Sequence, residues 1–170
     1  MKFILGVIVG ALLVPLGVVC YFLLGMAPVA TSSQAMPFEK TLARIALAKR
    51  VEKEAPQTPP ASVKAEDATY NAGAQVYREN CAVCHGDPTG KKTPIAAGMF
   101  PKPPQLLKGT GVTDDPPGET YWKVENGIRL TGMPSFKGAL SEDQIWQVAL
   151  LLANADKLPD SAKQTLAAAK

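Results

Sequence analysis

The sequence predicts an all-α chain: one membrane-spanning helix, a juxtamembrane helix with a linker, and a small helical domain. Three observations carry this. Phe3 to Leu24 is an almost unbroken apolar run with no charge between Lys2 and Glu39. Apolar residues recur at helical spacing in several later stretches, and Ser141-Glu-Asp-Gln144 is a helix-start signature. Breakers cluster between those stretches, notably the three prolines of APQTPPAS at 55–62.

The chain has 170 residues, 46% hydrophobic and 19% charged, which suits one domain plus an accessory segment. The apolar share excludes a disordered chain. The charge is divided unevenly. Residues 1–66 hold seven bases and four acids, a net +3, whereas residues 67–170 hold eleven of each. A domain with no net charge is no polybasic nucleic-acid binder. One His and three Cys exclude a His-rich metal cage and a disulfide-stapled scaffold.

The first apolar run is 22 residues, about 33 Å as a helix and enough to cross a bilayer core. Gly6, Gly10, Pro15 and Gly17 weaken a soluble helix but are tolerated in a membrane span. The run exceeds the ~7–15 residues of a secretory signal core, and no good A-x-A site follows, so residues 1–30 are read as an uncleaved anchor. Val19 is too bulky ahead of Cys20 for lipoprotein processing, and Cys20 reads as a small apolar residue. Lys2 alone precedes the span while Lys40 and Arg44 follow it, an asymmetry that by itself favours the N-terminus outside.

Residues 31–66 change character. In PFEKTLARIALAKRVEKE, Phe38, Leu42, Ile45 and Lys49 share one helical face, giving an amphipathic helix that serves as a solvated spacer or docks on a membrane surface or partner. A semi-rigid Pro-rich linker follows. The domain proper is expected at 67–170, about 100 residues, a size at which an unreinforced core is marginal.

Its first helix is predicted from about Thr69 to Asn80, with Gly73, Val76 and Tyr77 on one face. Next comes Cys81-Ala-Val-Cys84-His85. In c-type haem attachment the two thiols form thioethers to the haem vinyl groups and the adjacent imidazole reaches the iron. A thioredoxin-like pair wants a βαβ setting, and the flanks are helical and Pro-rich; zinc wants further ligands, and the only other Cys lies in the apolar span. The sixth iron ligand is sought among the methionines. Met1, Met26 and Met36 belong to the N-terminal segment, and Met99 reads as packing near the haem edge. Met133 lies in Thr-Gly-Met-Pro-Ser-Phe, where Pro134 holds it extended and Gly132 permits close approach, so its thioether is presented on a stiff loop.

Two further helices are expected. Glu119 to Asn126 places Tyr121 and Val124 on one face, in line with Ile128, and stops at Gly127. Trp122 there lines the haem edge, donates its N–H to a propionate, or packs in the core. The helix after Ser141 turns Ile145, Val148, Ala149 and Leu152 inward, with Trp146 and Leu150 widening that face. Lys157 to Lys170 is expected to end as a frayed Ala-rich helix or tail.

These motifs together resemble the class I c-type cytochromes, particularly the bacterial membrane-anchored mono-haem kind. The resemblance rests on Gly73 and Tyr77, CAVCHG at 81–86, NGIRLTGMPSF at 126–136 and the last helix with Trp146, and covers roughly residues 67–155. It implies a small all-α fold round one covalently attached haem c with its iron, and first and last helices crossing near Gly73. It also implies a proline carbonyl accepting the His85 ring N–H, assigned to Pro94 with Pro101, Pro103 and Pro104 left open. The family role is electron transfer, not catalysis. The implied partners are redox proteins or membrane complexes, with the bilayer engaged through the N-terminal helix and no nucleic acid. Thioether attachment outside the bacterial inner membrane puts the haem domain in the periplasm, which overrides the weak charge asymmetry around the span.

Overall fold

The computed structural model describes residues 2–108 and 111–168 and divides into two compact units, Met1–Leu42 and Ala43–Lys170. Among the described residues there is no named strand, only an isolated bridge between Lys137 and Leu140. In the first unit α1 covers Lys2–Leu23, its sequence-predicted span shifted by one residue, and none of its residues is buried. By length and composition α1 can cross a membrane. Helix α2, Glu39–Glu54, straddles the boundary between the units.

The second unit contains α3 (Asp67–Asn80), the single turn α4 (Ala82–His85), the short α5 (Pro94–Gly98), α6 (Pro117–Asn126), α7 (Glu142–Ala153) and α8 (Asp160–Ala167). Helix α3 packs on α7 and α8, and α6 packs on α7. The apolar stripe of α7 explains its central place. Ile145, Trp146, Val148, Ala149, Leu150, Leu151 and Leu152 are all buried, and Tyr121 of α6 stacks on Trp146 with ring centroids 4.6 Å apart. The capping box forms: Ser141 Oγ accepts from Gln144 N–H at 3.2 Å and Gln144 Oε1 from Ser141 N–H at 2.8 Å.

Helices α3 and α7 meet backbone to backbone at Gly73. A Cβ there would fall on the Gln147 carbonyl oxygen and lie 3.1 Å from Leu151 Cβ. Gly73→Val therefore forces the helices apart, and we expect a loss on the order of 3 kcal/mol, read as a lowered denaturant midpoint of the haem-loaded protein.

Two expectations change. The C-terminal segment is a docked helix rather than a frayed tail over its described part: Ala162 is fully buried and Leu166 nearly so, because one apolar stripe of α8 fits against α3; residues 169–170 lie outside the described residues. The stretch 43–66, expected as part of a spacer or docking helix followed by a semi-rigid linker, lies within the second unit and is packed. Val51 and Val63 are buried at 1% and 4% exposure. Ser62 Oγ donates to Asp143 Oδ1 at 3.1 Å, and a Cβ on Gly118 would coincide with the Pro56 carbonyl. Two apolar anchors flank a proline-stiffened stretch that loses little entropy on ordering, so it docks instead of remaining free.

Candidate haem site

Cys81 closes α3 and starts α4. The turn is held by His85 N–H to Cys81 O at 2.9 Å and Gly86 N–H to Ala82 O at 2.9 Å. One helical turn therefore carries Cys81, Cys84 and His85 to the same wall. Gly86 leaves the helix at a φ of 80°, a conformation that favours glycine, and its carbonyl accepts the Tyr77 hydroxyl at 2.7 Å. Burial pushes the Cys81 thiol up to about 12, with Cys84 adding to the effect.

His85 Nδ1 lies 2.9 Å from the Pro104 carbonyl oxygen. A carbonyl only accepts, so Nδ1 carries the proton and Nε2 keeps its lone pair. Burial lowers the His85 pKa, outweighing the upward pull of Pro104, and keeps the imidazole in the neutral form a metal requires.

Helix α6 ends at Gly127, φ 68°. A Cβ there would stand 2.6 Å from Ser135 N and 3.0 Å from Met133 O, so the glycine lets the following loop fold back on the helix end. That loop is tied down on both sides of Met133. Ile128 N–H donates to Met133 O at 3.2 Å, Met133 N–H to Thr131 Oγ1 at 3.1 Å, Phe136 N–H to Val124 O at 3.1 Å, and Ser135 Oγ to Glu125 O at 2.6 Å. Its geometry is preorganised.

Cys81, Cys84, His85 and Met133 line one cavity of about 630 Å³, within the ~300–1,000 Å³ of cofactor sites. The remaining wall is mostly apolar, including Met99, Leu106, Val112, Ile128, Phe136 and Val148. Met99 lines the same cavity beside the Met133 loop, where a Cβ on Gly132 would come 3.0 Å from its Sδ.

Two assigned residues are elsewhere. Pro94 does not hold His85; it opens α5 at the position where a missing N–H costs nothing, behind the Thr93 cap that accepts from Ala96 N–H at 3.1 Å. Pro104 takes the role because the Pro-rich loop brings its carbonyl, nineteen residues on, against the ring. Trp122 does not line the cavity. Its indole N–H donates to Glu54 Oε2 at 3.3 Å, since the docked stretch 43–66 supplies a carboxylate acceptor. Leu47 of α2, which sequence reasoning missed, does line the cavity. The available signal was a second apolar stripe, Leu47 and Val51 at i and i+4, opposite Phe38, Leu42 and Ile45.

The residues fit a haem: two thiols and an imidazole on one turn, a thioether on a braced loop, and an apolar cavity between them. An all-helical fold carrying that set defines a c-type haem protein. The family model described as cytochrome c oxidase, cbb3-type, subunit III matches residues 68–152, half of the chain. Cytochrome c6 of Limnospira maxima is 38% identical over 79 residues, 46% of this chain and 83% of that protein. The chain belongs to the class I c-type cytochromes, and its cofactor is covalently bound haem c, with electron transfer as the family function.

Proposed function

We propose that the protein is a membrane-tethered mono-haem carrier of single electrons between respiratory or photosynthetic complexes at the periplasmic face of the inner membrane. Cys81 and Cys84 would hold the haem through thioether links, and His85 and Met133 would bind its iron. The observation carrying this reading is that His85, with Nδ1 engaged by Pro104, and Met133, on its braced loop, line one apolar cavity. Bound haem supplies a one-electron couple between ferric and ferrous iron. The apolar wall excludes water, and Pro104 and the braced loop hold His85 and Met133 in place; with both bound, the iron would have no free position, which disfavours catalysis at iron and favours outer-sphere transfer.

Helix α1 provides the anchor. Residues 24–38 separate it from α2 and reach at most about 50 Å when extended. Such a tether raises the effective concentration of the haem domain at the membrane without tight binding.

The full chain, extracted in detergent with its haem, tests the ligand set. We expect a low-spin spectrum, a positive midpoint potential and no carbon monoxide binding. A high-spin spectrum that shifts on adding carbon monoxide overturns it. A second reading, a fixed haem subunit of a quinol-oxidising or terminal oxidase complex, is favoured by the description of the matching family model as an oxidase subunit. Extraction in mild detergent separates the two: a carrier elutes alone, a subunit with stable partners.

A further inference from the structure

Leu47 stands apart from the other residues that line the haem cavity. Among the described lining residues all the rest fall between Glu79 and Leu152, inside the region matched by the family model, whereas Leu47 comes from α2, ahead of it. The residues C-terminal to Leu47 fix its placement. Val51, one turn further along α2, is buried at 1% exposure, and Glu54 one turn beyond shares its carboxylate between Arg50 Nε at 2.8 Å and the Trp122 indole N–H. The chain then presses the Pro56 carbonyl onto Gly118, where only a glycine leaves room, and ends with Val63 in the core and Ser62 bonded to Asp143. Anchored at these points, the stretch is a strap bound to α6 and the start of α7.

We propose that Leu47 is a wall residue of the haem cavity, and that the strap of residues 43–63 shields that side of the haem from water and thereby raises its potential. This rests on the haem reading above. Ferric haem carries one more positive charge than ferrous haem, so replacing water by an apolar side chain disfavours the ferric state. The strap also closes one direction of approach, leaving electron exchange to the parts of the cavity rim it does not cover.

The test uses the full-length, haem-loaded protein in detergent. Leu47→Gln keeps the side-chain size and adds a polar group; Leu47→Ala removes the wall. Ile45→Gln, at a position on the same helix that is exposed and does not line the cavity, is the control. We expect both Leu47 variants to show a lower midpoint potential and faster oxidation by ferricyanide, a small hydrophilic oxidant, with Ile45→Gln matching the unaltered protein. Leu47 variants whose potential and oxidation rate equal those of the unaltered protein overturn the proposal, whatever happens to their melting temperature, since a purely structural strap moves only the latter. Met133→Ala in parallel keeps the two readings distinct: if it leaves the iron closed to carbon monoxide, the ligand assignment fails independently of Leu47.

Discussion

Cys81→Ala combined with Cys84→Ala yields a chain with no covalent haem and no stable fold. The first half of that result is chemical, because no other thiol lies within the second unit. The second half stems from the cavity. Without haem the apolar walls of the roughly 630 Å³ cavity lose their filling, and a domain of about 100 residues has little other core to offset that loss. Haem-dependent peroxidase staining after denaturing electrophoresis reads the covalent link, and far-ultraviolet circular dichroism reads the fold. A cooperative helical melt from the double variant would show that α3, α6 and α7 hold together without the cofactor.

Met133→Ala acts on the other side of the cavity chemistry. The loop keeps its braces, since Thr131, Ser135 and the backbone bonds to α6 do not involve the Met133 side chain. The protein should fold and retain haem, yet bind carbon monoxide stoichiometrically and titrate at a lower potential, because a thioether favours ferrous iron. Optical titration with and without carbon monoxide checks both effects. A variant indistinguishable from the parent would transfer the ligand role to another residue, with Met99, lining the same cavity, the next to replace.

Much of the fold was legible because its signals are local. The Ser141 capping box, the apolar face of α7 and the stop at Gly127 are written within a few residues of where they act. The attachment turn is local too: Cys81, Cys84 and His85 are brought together by a single helical turn whatever the remainder does. What stayed hidden depends on chain closure. Pro94, Pro101, Pro103 and Pro104 offer the same carbonyl to His85, and only the path of the loop selects Pro104. Trp122 finds Glu54 across 68 residues, and no local pattern reports that pairing. The docked strap escaped notice for a related reason. Three prolines read as an interruption, Val63 beyond them stands singly, and the short Leu47–Val51 stripe ahead of them is outweighed by the Phe38, Leu42 and Ile45 face opposite.

The close approach of α3 and α7 at Gly73 carries a consequence for biogenesis. The two helices are more than sixty residues apart along the chain, so the contact that seals the domain is made only after nearly the whole polypeptide has been synthesised. Cys81, buried at 9% exposure in the finished fold, faces the cavity that the haem would fill. Since the chain without covalent haem is expected to have no stable fold, a maturation machinery would meet an open substrate, and α7 would close on α3 after the thioethers form.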